Sequence, residues 1–140
     1  MGRSSVGRAS VNEQEHDVLQ LLRAGHPNVL IVGSDWFAEA MIDRLRSSFS
    51  APVYVCNLPG HLALPSDQGG TLLIRHVAEL ASDQQHQLFR WLDEHGGQVQ
   101  VVSVSSTPLF SCVERGTFDK RLYYRLNTVL EVVEAPAAVC

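Results

Sequence analysis

The chain reads as an α/β domain: a parallel sheet with helices on both faces, in three layers. Three observations predict this. Short, apolar, β-branched runs recur at residues 29–32, 53–56, 71–74, 99–104 and 128–133, as buried parallel strands require. Segments with helically spaced apolar residues alternate with most of them, and glycine and proline punctuate the joints. Parallel strands need crossover connections, and helices on both faces supply them.

The elements follow in order. Residues 1–12 are rich in Ser, Gly and Arg without an apolar stretch, and are expected to form a flexible arm. One domain is expected over residues 13–134, with a tail at 135–140. Residues 13–24 carry Val18, Leu19, Leu21 and Leu22 on one side and stop at Gly25 and Pro27, predicting a helix. The run 29–32 ends at Gly33 and reads as a central strand. Asp35 is the expected cap of the next helix, with Trp36, Phe37, Ala40, Met41 and Leu45 as its core stripe. Residues 57–70, with Pro59, Gly60, Pro65, Gly69 and Gly70, read as a plain connection. Ser82 and Gln85 predict a capping box; Leu88, Phe89 and Leu92 give that helix its buried face, and Gly96-Gly97 ends it. A last helix carrying Tyr123, Tyr124 and Leu126 precedes the fifth strand. From residue 29 the expected order is β-α-β-β-α-β-α-β.

Composition narrows the function classes. With 140 residues, 45% hydrophobic and 19% charged, the chain suits one domain with a real core. A net charge of -4 gives no electrostatic footprint for nucleic acid, so direct DNA binding is not expected. The apolar runs are too short to span a membrane. Cys56, Cys112 and Cys140 lack metal-ligand spacing and read as reduced cytoplasmic thiols.

In parallel α/β sheets ligands sit beyond the carboxyl ends of the strands, so Gly33, Arg75 and Ser105 are expected close together. Two segments near that end are distinctive. They are Gly69-Gly70-Thr71-Leu72-Leu73-Ile74-Arg75-His76-Val77-Ala78-Glu79-Leu80 and Arg115-Gly116-Thr117-Phe118-Asp119-Lys120-Arg121-Leu122-Tyr123-Tyr124-Arg125-Leu126-Asn127. The first resembles the Walker B strand, and the second the trans-acting arginine segment, of sigma-54 activator AAA+ domains, the bacterial enhancer-binding, NtrC-like class. Gly2-Arg3-Ser4 echoes a Gly-Arg-Ser often found near that family's domain start. The resemblance is strongest over residues 69–129 and implies a P-loop NTPase/AAA+-like fold and a role in response-regulator-type transcription control.

Against the family pattern, the chemistry-bearing positions differ. Arg75 and His76 stand where Asp and Glu normally coordinate magnesium and polarise water. A phosphate loop needs G-x-x-x-x-G-K-[ST], in which glycines free backbone N–H groups, Lys neutralises phosphate and the hydroxyl holds magnesium. The matching stretch Gly33 to Ala40 keeps only the first glycine, with Glu39 at the Lys position and Ala40 at the hydroxyl position, while Asp35 adds a further negative charge. Ser105-Ser106 replaces the usual Thr-Asn of the sensor. Degenerate Walker A and Walker B motifs therefore predict no catalytic residues, no ATPase activity and no bound ATP or magnesium. Glu39 and Arg75, each reversed in sign, are expected to pair across the site; the alternative is two independently solvated charges.

The family's segment between its second and third strands, with the loop that touches sigma-54, has no counterpart in residues 57–70, so direct sigma-54 contact is not expected. The chain ends at Cys140, so neither a helical lid nor a DNA-binding helix-turn-helix is expected. Arg125 matches one trans-acting arginine, and Asp119 stands at the other. Arg121, Tyr123, Tyr124 and Arg125 are thus the candidate docking edge toward an active AAA+ activator or a second copy; the alternative is that they fold the last helix onto the sheet. The resemblance thus implies an inactive, regulatory protein-interaction module. Two other functions stay open. One is a nucleotide-binding sensor without hydrolysis. The other is a Cys/His enzyme or metal site around Cys56 and His76, with His61 and Glu79 near, since thiol and imidazole in reach make a nucleophile and base.

Overall fold

The structure, a computed structural model, describes residues 28–66, 69–95, 97–127 and 130–135. Among these, five parallel strands form one sheet: β1 (Val29–Val32), β2 (Val53–Asn57), β3 (Thr71–Arg75), β4 (Gln100–Ser105) and β5 (Leu130–Val133). Their spatial order is β2-β3-β4-β1-β5. Helices α1 (Asp35–Leu45), α2 (Ser82–His95), α3 (Leu109–Glu114) and α4 (Lys120–Leu126) cover it, with 3-10 turns at Arg46–Ser48 and Val77–Glu79. The arm expected at 1–12, the helix at 13–24, residues 128–129 of the fifth strand and residues 136–140 of the tail lie outside the described residues.

Strand alternation divides the core into two layers. Leu30, Val32, Leu72, Ile74 and Val101 point to α2, α3 and α4, where Leu88, Trp91, Leu92, Leu109, Cys112, Leu122 and Leu126 meet them. Val29, Ile31, Leu73, Val102 and Val104 point to α1 and its Phe37, Ala38, Met41, Ile42 and Leu45. Every residue of β1 and β4 is buried, which is why these runs are almost continuously apolar. Each fully buried Leu or Ile contributes about 1.5–3 kcal/mol. Asn28 fastens the start of β1: its Oδ1 accepts from Val101 N–H and its Nδ2 donates to the Arg125 carbonyl, both at 2.9 Å.

Local chemistry shifts several elements from their expected places. Ser34, not Asp35, caps α1, its hydroxyl accepting from Phe37 N–H at 3.2 Å. The buried stripe is accordingly 37, 38, 41, 42 and 45, and Trp36 is 77% exposed. The two stripes differ by one residue, about 100° of helix rotation, and the cap decides between them. At α2 the box also moves by one. Helix starts at Ser82, so Gln84 sits third and its Oε1 accepts from Ala81 N–H at 2.9 Å, while Gln85 turns inward. The buried face of α2 holds Trp91, and Phe89 is only partly buried.

The single helix expected before β5 is two. Gly116, at φ 79, accommodates the end of α3. Asp119 then starts α4 by accepting from the N–H groups of Arg121 and Leu122. The connection between β2 and β3 is not plain. Leu58 and Leu62 enter the core, Trp91 Nε1 donates to the Pro65 carbonyl at 2.8 Å and Gln84 Nε2 to the Gly60 carbonyl at 2.7 Å. Gly70 lets this segment return to the sheet: at φ 99, a Cβ there would lie 2.5 Å from the Pro52 carbonyl oxygen.

Gln85 is the polar centre of the helical layer. Only 6% exposed, it donates to the carbonyls of Leu80 and Thr117 and accepts from Asp119 N–H at 2.8 Å. Gln85→Leu strands these three backbone groups, so a loss of about 1–3 kcal/mol is expected in urea unfolding followed by circular dichroism. Trp36→Ala is expected to stay within about 0.5 kcal/mol of wild type in the same assay.

Candidate functional site

The carboxyl ends of β1, β3 and β4 gather the residues singled out in the sequence. At β1 the strand passes to helix in only two residues, Gly33 and Ser34. Gly33 N–H donates to the Ser105 carbonyl at 3.0 Å, extending the β1–β4 ladder past Val32. Glu134 N–H donates to the Val32 carbonyl at 2.8 Å, and the Glu134 carboxylate accepts from Ser34 N–H at 2.8 Å. An anion therefore already sits at the start of α1, where the helix dipole and free N–H groups favour one. Gly33 makes room for it, since a Cβ there would fall 2.6 Å from Phe37 and 2.8 Å from that carboxylate.

Asp35, Glu39 and Ala40 lie on α1 itself rather than in a loop. Glu39 faces the end of β3 and pairs with Arg75. Arg75 donates from Nε to Oε2 at 2.6 Å and from Nη2 to Oε1 at 3.0 Å, a bidentate fork, while Nη1 reaches Asn57 Oδ1 at 3.4 Å. Arg75's side chain is 24% exposed and that of Glu39 49%, so the pair lies at the surface of this end of the sheet. The hydrogen bonds from Arg75 hold the Glu39 carboxyl below its ordinary 4.5, against the opposing effect of its slight burial.

His76 follows with φ 58, a left-handed backbone that starts the 3-10 turn and sends Val77 into the core. Its Nε2 lies 3.9 Å from Asp35 Oδ1, beyond hydrogen-bond reach. Ser105 is buried and its hydroxyl is used locally, donating to the Thr107 carbonyl and accepting from Thr107 N–H, while Ser106 is exposed. The structure thus brings Gly33, Glu39, Arg75 and Ser105 to one end of the sheet and joins Glu39 to Arg75.

The sigma-54 interaction domain family matches residues 6–134. The chain belongs to that family. No curated protein matches it. Among solved structures, NtrX from Brucella abortus is similar at 20% identity and TM-score 0.67, covering 92% of this chain and 38% of that one. The same protein in complex with ATP gives 20% identity and TM-score 0.68, with 92% and 36% covered. The P-loop NTPase domain of the sigma-54 transport activator from E. coli is 18% identical at TM-score 0.59, covering 79% of this chain and 99% of that domain. At these identities the likeness establishes the P-loop NTPase/AAA+-like fold alone. The chain spans little more than a third of each NtrX chain.

In this sigma-54 interaction domain Arg125 is held against α2. Arg125 bonds Asp93 through Nη1 and the Leu92 carbonyl through Nη2, and both it and Arg121 lie over the Phe89 ring, at 5.6 and 4.7 Å. Tyr123 is buried and donates to Glu131 Oε1; burial, then that carboxylate, raise its phenol above 10.0. Burial pushes the Asp119 carboxyl up, but the N–H groups of Leu122 and Arg121 outweigh it and leave it below 3.8. Arg121 and Tyr124 remain exposed. Cys56 and His76 have separate surroundings: the thiol is buried and donates to the Ala63 carbonyl, whereas the imidazole faces Asp35. Among the described residues no three His, Cys, Asp or Glu gather as metal ligands. Sequence reading missed Glu134, whose only signal was its place one residue beyond β5.

Glu39→Gln, Arg75→Gln and the double variant should show a coupling of about 0.2–1 kcal/mol in stability at pH 7. Because the folded Glu39 carboxyl titrates below 4.5, its contribution is complete above that value and fades as pH falls through the lower folded one. Strictly additive effects at pH 7 would show that the pair contributes nothing.

Proposed function

We propose that this sigma-54 interaction domain does not hydrolyse ATP and acts as a regulatory, protein-binding module in bacterial transcription control, in the cytoplasm. The observation that carries the reading is the Arg75–Glu39 fork, which consumes both carboxylate oxygens at the place where the family resemblance puts magnesium and phosphate. Magnesium needs carboxylate and phosphate oxygens around it, and a guanidinium at that position repels the ion. On the phosphate side, Asp35 in the first turn of α1 opposes a phosphate. Like charges a few Å apart cost about 4 kcal/mol at an effective dielectric near 20. The two-residue turn from β1 to α1 leaves little backbone to wrap a phosphate, and Glu134 already holds the Ser34 N–H.

The partner we favour is an active AAA+ activator or a second copy. Tyr124, 53% exposed and stacked edge-on against buried Tyr123, and Phe110, 38% exposed on the same aromatic cluster, are rigid aromatic groups of the kind that anchor interfaces. With Arg125 engaged on α2, these rings offer the docking surface in place of an outstretched arginine. Direct sigma-54 or DNA contact is not part of this proposal. The second reading, a nucleotide sensor without hydrolysis, draws on the similarity to the ATP complex of NtrX.

Thermal unfolding with Mg-ATP, Mg-ADP or metal-free nucleotide separates the two, because any ligand of the folded state raises Tm by mass action. Millimolar nucleotide is expected to leave Tm unchanged. A saturable rise would overturn the first reading and establish the sensor.

A further inference from the structure

Among the described residues β2 is the terminal strand at the flank opposite β5, and its outer edge has a pattern of its own. The Pro52 carbonyl accepts from Thr71 N–H and Leu58 N–H donates to the Arg75 carbonyl, so the even-numbered residues of β2 direct their backbone toward β3. By strand alternation the N–H and C=O groups of Val53, Val55 and Asn57 point away from the sheet. The side chains of Val53 and Val55 share one face and are 37% and 47% exposed. The other face is closed: Tyr54 packs against the core, Cys56 is buried within it, and the connection through Leu58 and Leu62 covers it. One open edge and one open apolar strip thus coincide on a single strand.

We propose that β2 pairs with β2 of a second copy, antiparallel across a two-fold axis at Tyr54, so that two domains share one continuous sheet. Three features select a second copy over another partner. The run Val53-Tyr54-Val55 reads the same in both directions, so a two-fold at Tyr54 sets Val53 opposite Val55 of the second copy and Val55 opposite its Val53. Those are the residues whose backbone groups face outward, so each such pair exchanges N–H···O bonds both ways, and Tyr54 meets its own copy at the closer, non-hydrogen-bonded position. Finally, residues 51–59 carry no charge in a chain that is 19% charged. A charge on this edge would lie near its own image across the axis and repel it, whereas a strand built for a different partner would be free to use one. The edge also lacks the lysine, internal proline or bulge with which sheets block such pairing; Pro52 and Pro59 stand just outside the strand and limit its length. Pairing would set four valines side by side on one face of the joined sheet, where each shields part of its neighbours. This surface is apart from the carboxyl-end site, so the inference holds whether or not nucleotide binds.

Sedimentation of the purified chain over a range of concentrations should show a reversible monomer–dimer equilibrium. Val55→Lys, at a position exposed in the monomer, should raise the dissociation constant at least about tenfold while leaving the circular dichroism of the fold intact. A second variant reads the register directly. With Cys140 replaced by Ser, Tyr54→Cys should form a disulfide-linked dimer under mild oxidation, because facing residues at such a position lie within disulfide reach. Val53→Cys alone should not link to itself, but should link to Val55→Cys when the two are mixed. A chain that stays monomeric, a dimer indifferent to Val55→Lys, or cross-linking of Val53→Cys to itself in preference to Tyr54→Cys would overturn the proposal.

Discussion

Parallel pairing of β1 with both β4 and β5 is the constraint from which the rest of this molecule follows. It sends all strand carboxyl ends to one rim and demands apolar cover on both faces, which α1 supplies on one side and α2, α3 and α4 on the other. The ladder does not stop with the strands. Gly33 bonds to the Ser105 carbonyl and Glu134 N–H to that of Val32, so the turn into α1 is held from both neighbours.

On that rim, an acid from a helix and a cation from a strand meet. Where the family resemblance sets a metal between acids and a cation beside phosphate, this domain has an acid on α1 and a cation on β3 that satisfy each other. The pair is worth little as stability, since a half-exposed ion pair gains less than about 1 kcal/mol. The fork ties α1 to β3 and leaves neither group without a counter-charge. Glu134 makes a further tie at the start of α1.

Much of this was legible in the sequence because it depends on pattern. Apolar β-branched runs located all five strands to within a residue or two, and sign reversal at Glu39 and Arg75 pointed to their pairing. What the sequence hid depends on single hydrogen bonds. Ser34 against Asp35 as cap turns α1 by one residue and moves Trp36 from core to solvent. At α2 Gln84 instead of Gln85 takes the cap and Gln85 turns inward, while Leu88 and Leu92 are buried as expected. For Arg125 the family resemblance offered a docking role and the sequence a folding one; Phe89, Asp93 and the Leu92 carbonyl lie within its reach and hold it on α2. Glu134 acts through a neighbour distant in sequence, which only strand order reveals.

The three hydrogen bonds of Gln85 also bear on how the domain breathes. They join the 3-10 turn after β3, the loop after α3 and the first residue of α4's cap, segments far apart in sequence that share one amide. None can peel away without breaking the others' anchor, so local opening of this layer is cooperative instead of piecemeal. Amide exchange across α2, α3 and α4 would then proceed with a common free energy, making the layer a single folding unit laid over the more protected sheet.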